Sequence, residues 1–142
     1  MFNAFRHWLV RRFLARLKTP RDGARWAFRR YAGRMAAIDA RRSVTYSVLG
    51  NRTYRIASAW RTLGLNPGDV LIVRLPDGVC QLEARLAAAE CGAVLTMLSL
   101  WNTSEQLGAN LQLVKPRMLV HDGSDLALCR RLAAQFPNML QL

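Results

Sequence analysis

From residue 45 onward the apolar positions fall into alternating helical and strand-like spacings. Tyr46, Leu49, Thr53, Ile56, Trp60 and Leu63 recur at three- and four-residue steps, with Arg52, Arg55 and Arg61 largely outside the stripe. This predicts an amphipathic helix that starts at Thr45 and lays one face on a sheet. Gly64 closes it as a C-terminal cap. In Asn66-Pro67-Gly68-Asp69 the proline presets φ at the second position of a type II turn, and the glycine accepts the positive φ of the third. The following "VLIV" (70–73) is apolar without alternation, as in a parallel sheet covered by helices on both faces. Pro76 and Asp77 stop that strand, and Asp77 is placed to cap a helix lined by Val79, Leu82, Leu86 and Ala89 and closed by Gly92.

The same order recurs twice. Residues 93–98 read as a second buried strand, and Thr103 with Gln106 forms a capping box for a helix carrying Leu107, Leu111 and Val114 up to Lys115 and Pro116. "RMLVH" (117–121) is a third strand. Asp122, Ser124 and Asp125 open a helix through Leu128, Leu132 and Phe136, with Arg130 and Arg131 near its negative end. Pro137 ends it, and "MLQL" starts a further strand. Earlier, "GRMAAID" (33–39) reads as a short strand and "ARRSV" as a turn into the next element. Strand and helix alternating at this spacing predict an α/β fold of parallel, right-handed βαβ units.

Charge divides the chain. Residues 1–42 hold twelve Lys and Arg against two acids, +10 of the total +12, so residues 43–142 are nearly neutral. We therefore divide the chain into a basic, helical, Arg-rich arm (1–42) and an α/β part (43–142). In the arm Phe2, Phe5, Leu9, Phe13 and Leu17 recur at helical steps among arginines, although Arg12 and Arg16 intrude on the apolar face. Three readings stay open: a solvated or partner-packed helix first, a helix on an anionic membrane surface through residues 1–30 second, and nucleic-acid binding last. No base-reading module accompanies the arm. No apolar run approaches the ~18 residues of a spanning helix, and arginines at 6, 11 and 12 interrupt any signal-like segment. The expected location is the cytoplasm, with peripheral attachment at the inner membrane face as the alternative.

Candidate chemistry is sparse. Cys80, Cys91 and Cys129 have no C-x-x-C spacing and read as reduced, with Cys80 a small buried residue in the first turn of its helix. His7 and His121 alone offer too few ligands for zinc or iron. Glu83 and Glu90 lie seven apart on one helix and read as its solvated outer side. His121 at a strand end reads as a hydrogen-bonded structural residue. Ser99, Ser104 and Ser124 lack a nucleophile-elbow context. Ligands of open parallel sheets sit beyond the strands' carboxyl ends, here after Leu75, Leu98 and Val120. None of those segments is a phosphate loop, and Asp77-Gly78 reads as a helix cap.

Taken together, the stretches resemble the opening of an AMP-forming acyl-CoA synthetase, a member of the adenylate-forming ligases. "SVTYSVLGNRTYRIASAWRTLGLNPGDVLIVRLPDG" is similar to the family's T-Y-x-E-L helix start, its L-x-x-x-G-x-x-x-G-D and its L-P-N. "LAAAECGAVLTMLSL" resembles the next segment, A-x-x-x-x-G-A-V and a strand. "NTSEQLGANLQLVKPRMLV" (102–120) resembles the long-chain and very-long-chain fatty-acid, fatty-acid-transport-type branch. The likeness covers about residues 33–122. Val48 replaces the usual Glu, so half of a capping box with Thr45 is lost, at about 1 kcal/mol of helix stability; Asp77 stands for the usual Asn.

The resemblance implies ATP- and Mg-dependent activation of a fatty acid to an acyl-adenylate, release of pyrophosphate, and transfer to CoA. The family's phosphate loop, aromatic-Gly-x-T-E segment, ribose-binding Asp and C-terminal lysine have no counterpart in these 142 residues. No catalytic, cofactor-binding or metal residue is carried over. The expectation is an N-terminal portion of a fatty-acid–CoA ligase that binds no cofactor by itself, is not active alone, and self-associates through uncovered apolar surface. The alternative is a free-standing, non-catalytic module that uses its basic arm on a membrane or protein partner.

Overall fold

A computed structural model describes residues 11, 15 and 17–142. Most of the arm's apolar stripe lies outside the described residues. The elements are α1 (Pro20–Arg30), β1 (Met35–Ile38), β2 (Ser43–Thr45), α2 (Tyr46–Thr62), β3 (Val70–Arg74), α3 (Val79–Cys91), β4 (Val94–Met97), α4 (Ser104–Val114), β5 (Met118–His121), α5 (Leu126–Gln135) and β6 (Leu140–Gln141).

β3 to β6 form one parallel sheet in the order β4-β3-β5-β6. Residues 71 and 73 of β3 face one side and Ile72 the other, which is why the strand reads as continuously apolar. On the first side Leu71, Val73 and Met118 pack with Ala57 and Trp60 of α2 and with Ala84, Ala87, Ala88 and Cys91 of α3. On the second, Ile72 and Leu119 pack with Leu107 and Leu111 of α4 and Leu128 and Leu132 of α5. The result is three layers, helices on both faces of a parallel sheet.

The local signals hold where they are short-range. Thr45 caps α2, its Oγ1 accepting from the Val48 amide, and Gly64 follows the helix with φ +92°. Gly68 has φ +87°, and the Asp69 amide donates to the Asn66 carbonyl at 3.1 Å, the geometry of the expected turn. The Thr103–Gln106 capping box is closed in both directions. Asp125 caps α5 through the Leu128 amide at 3.0 Å.

Four expectations are corrected. β4 is the sheet edge, and Val94 is 53% exposed, so it is not a buried strand. The segment "ARRSV" does more than turn: Ser43–Thr45 pairs antiparallel with β1 as a two-stranded hairpin. The sheet-facing stripe of α3 is alanine-rich, whereas Leu82 and Leu86 pack sideways on Phe28, Val44 and Leu49. Alanines let α3 approach the sheet closely while its leucines hold the outer layer. The fourth concerns the start of α3. Asp77 does not cap it; the cap residue is Gly78, and the Val79 amide donates instead to Asp39 Oδ2 at 2.8 Å.

That outer layer is α1 with the β1-β2 hairpin. Thr19 and Asp22 form a reciprocal capping box around Pro20, which starts α1. Phe28 is the buried residue of the helix, packed with Val44, Leu49 and Val79. Two buried acids tie the layer down. Glu83 accepts from Arg42 at 2.8 Å and Arg52 at 3.3 Å, and Glu90 pairs with Arg25 of α1.

Candidate functional site

The carboxyl end of the sheet is set by the register of β3 and β5, which places Arg74 opposite His121. Arg74 ends the apolar run of β3 and shares the face of Ile72, so its guanidinium is carried into the layer beneath α4 and α5. It is 5% exposed, and Nη2 donates to the Leu100 carbonyl at 3.1 Å. Its Nε and Nη1 have no protein acceptor. The run "VLIVR" gave a signal, a cation closing a buried strand, but only the register shows what it faces.

Around Arg74 the polar groups are engaged locally. His121 Nδ1 accepts from the Gly123 amide at 3.0 Å, the structural role expected of it. Asp122 accepts from the Ser124 hydroxyl at 2.6 Å and its amide at 3.0 Å. These bonds, with a smaller contribution from the Arg74 charge, hold its carboxyl below the usual carboxylate range. Ser99 Oγ accepts from the Trp101 amide, and Ser104 Oγ from Arg131. Each of these serines has a structural partner.

On the other face of the sheet an open crevice of about 340 Å³ lies beyond β3 and β4. Leu75, Asp77, Gln81, Arg85, Ser99 and Trp101 line it. Gln81 Nε2 is held by the Leu75 carbonyl at 3.2 Å, while Trp101 stands at the lip, 93% exposed. These groups can offer a cation, an amide and an aromatic plate to a planar or anionic ligand. They do not fit a nucleoside triphosphate with its magnesium: no run of glycine amides faces the crevice, and Asp77 is its one carboxylate. No reaction step is derived through those groups.

The remaining candidates lie elsewhere. Glu83 and Glu90, expected on a solvated side, are each 5% exposed and belong to the ion pairs that hold the outer layer. Their seven-residue spacing puts both on one side of α3, and arginines from α1, β2's approach and α2 meet them there. Cys80 is exposed, which corrects its reading as a buried residue, and Arg42 Nη2 donates to its sulfur at 3.1 Å. Cys91 and Cys129 are buried free thiols whose burial pushes their pKa up. Among the described residues no group of three or more His, Cys, Asp or Glu could hold a metal ion, and no helix is long and apolar enough to cross a membrane.

The fold therefore defines an α/β unit with a parallel sheet covered by helices on both faces. The sequence profile of the family described as AMP-binding enzyme matches residues 24–139. The chain belongs to that family. It is 30% identical over 97 residues to the medium/long-chain-fatty-acid–CoA ligase FadD6 of Mycobacterium tuberculosis, a match covering 68% of this chain and 16% of the relative. It is 34% identical over 88 residues to the salicyl-AMP ligase / salicyl-S-ArCP synthetase of the same organism, covering 58% of this chain and 15% of the relative. The apo structure of Mycobacterium smegmatis MbtA superposes with a TM-score of 0.80 at 27% identity, covering 89% of this chain and 24% of that one. The chain thus spans 15–16% of the length of these two curated relatives. The match begins at residue 24, so residues 24–30 of α1 lie within the family region.

Proposed function

We propose that this chain supplies the N-terminal layer of an adenylate-forming ligase whose acid is a fatty acid and whose acceptor is CoA. In this reading residues 20–141 provide a scaffold, and the grip on ATP, magnesium and CoA comes from protein outside these 142 residues. The observation that carries it is the match to FadD6, which extends over the larger share of the chain of the two mycobacterial relatives. The segment from Asn102 through Pro116, with its resemblance to the fatty-acid branch, lends further support. A second reading, an aromatic acid as substrate, is favoured by the higher identity to the salicyl-AMP ligase.

Acid-dependent ATP–pyrophosphate exchange tests both parts. The 142-residue chain alone is expected to give no exchange with palmitate, octanoate or salicylate; exchange by the chain alone overturns the scaffold reading. Residues 24–139 grafted in place of the matching segment of FadD6 are expected to leave acyl-CoA synthesis intact, while the same graft into the salicyl-AMP ligase abolishes salicylate activation. The reverse outcome, in soluble grafts, selects the aromatic acid.

A further inference from the structure

Tyr31, the residue that ends α1, is the centre of an exposed aromatic and cationic cluster. Trp26 meets its ring edge-on with centroids 5.3 Å apart, and the guanidinium carbons of Arg30 and Arg34 lie 5.6 and 5.3 Å from its centre. Helical geometry explains the grouping. At 100° per residue, Arg21, Arg25 and Phe28 share the side of α1 that faces α2 and α3, which leaves Trp26 and Arg30 on the opposite side and Arg29 on the flank between the two. Trp26 is 37% exposed and Met35, just beyond Arg34, is 52% exposed; Arg29, Arg30 and Arg34 are exposed as well. The acid on this face, Asp22, is occupied by the Thr19 capping box.

Guanidinium groups held over an aromatic ring keep a fixed position, and their planar donors suit phosphate oxygens. The Trp26 indole stands at the same ring and Met35 follows Arg34 in the chain, apolar bodies that gain by sinking to headgroup depth. The cluster also belongs to the stretch, residues 1–42, that carries +10 of the chain's +12 charge, which favours a negative surface as its partner. Nucleic acid would satisfy the arginines, but it offers no burial to a half-exposed methionine at the start of β1.

We propose that the face built by Trp26, Arg29, Arg30, Tyr31, Arg34 and Met35 docks on an anionic phospholipid bilayer. The arginines engage lipid phosphate, and Trp26 and Met35 enter the interface. The contact is then made by a folded helix anchored through Arg25 to Glu90 and through Phe28 to the core, and it does not depend on the adenylation reading.

Flotation of the full chain with vesicles of phosphatidylcholine alone, or with equal parts of phosphatidylglycerol, tests this. Binding is expected to require phosphatidylglycerol, to fall with salt, and to weaken at least about tenfold in Arg29→Glu/Arg30→Glu/Arg34→Glu. The milder Arg29→Gln/Arg30→Gln/Arg34→Gln, which adds no acids beside Asp22, is expected to weaken it in the same direction with an unchanged melting temperature. The equally charged control Arg55→Glu/Lys115→Glu/Arg130→Glu is expected to bind as wild type. Equal loss in that control overturns the proposal. So does loss confined to Arg6→Glu/Arg11→Glu/Arg12→Glu, or tighter binding to duplex DNA than to phosphatidylglycerol vesicles.

Discussion

Asp39, in the hairpin of the outer layer, caps a helix forty residues away: its Oδ2 accepts from the Val79 amide at 2.8 Å while its Oδ1 accepts from the Arg41 and Arg42 amides at 2.8 and 2.9 Å. Gly78 makes this possible. A Cβ built there would stand 3.0 Å from the Asp39 carboxylate, and its φ of +150° is open to few other residues. One carboxylate thus orders the hairpin turn and satisfies the first free amide of α3.

These bonds lower the Asp39 pKa, the Val79 amide first and the Arg41 and Arg42 amides after it. A depressed folded-state pKa contributes stability that is present above the unfolded value and lost as pH falls through the folded one. Asp39→Asn should therefore melt lower than wild type near neutral pH, and the gap should narrow below the ordinary carboxylate range. Melting curves of both proteins at stepped pH check this; a gap that stays constant into acid would mean that the charge of Asp39 does not matter.

The legibility of the sequence divides along the same line. The helix starts at Thr45, Thr103 and Asp125, governed by residues within three positions, could be read from the sequence, as could the Asn66–Asp69 turn and the succession of strands from Val70 on; the equally local Thr19–Asp22 box was not read. The Asp39 cap could not, because Asp77 beside the helix offers the same chemistry and only the tertiary fold chooses between them. Glu83 and Glu90 misled for a related reason: their spacing reveals a shared side but not that α1 and the hairpin cover it. The carboxyl end of the sheet was legible as a place, after Leu75, Leu98 and Val120, but the buried state of Arg74 emerges only from the pairing of β3 with β5.

The two buried acids differ in how many partners they have, and this sets an order of mutational cost. Arg25→Ala leaves the Glu90 carboxylate, 6% exposed, without its ion pair, whereas Arg42→Ala leaves Glu83 with Arg52. We expect about 3 kcal/mol for Arg25→Ala and about 1 kcal/mol for Arg42→Ala in urea denaturation, since a stranded buried charge costs more than one retaining a cation. Equal losses would show that Arg52 does not compensate.

Gly50 sets the crossing of α1 on α2. A Cβ there would lie 2.8 and 2.9 Å from ring atoms of Phe28, too close for an aromatic ring wedged in the core. Ala usually improves on Gly inside a helix by about 1 kcal/mol. Here Gly50→Ala should instead lower stability by about 1–3 kcal/mol through overpacking. In a Phe28→Leu background the same change should cost much less, a coupling that a double-mutant cycle measures. Additive effects would place the clash elsewhere.

Among the described residues no strand lies beyond β4 on its side of the sheet, and Val94 at 53%, Trp101 at 93% and Leu113 at 82% exposure add apolar surface. We expect concentration-dependent self-association in sedimentation velocity. Val94→Lys, which places a charge on the open edge, should shift the chain toward monomer. A wild-type chain that sediments as a monomer at every concentration would rule out edge pairing.

Arg74 makes the opposite case, a residue whose removal should help the isolated chain. Two of its nitrogens are buried without a protein acceptor while the third bonds to the Leu100 carbonyl. Unmet donors of this kind cost about 1–3 kcal/mol, more when charged. Methionine fills a similar volume beneath α4 and α5 without that cost and forfeits one hydrogen bond. Arg74→Met should therefore raise the urea midpoint by an amount equivalent to about 1 kcal/mol. A lowered midpoint would mean that the guanidinium is satisfied in solution, by water or by Asp122 turned away from Ser124, and that it braces the carboxyl end of the sheet.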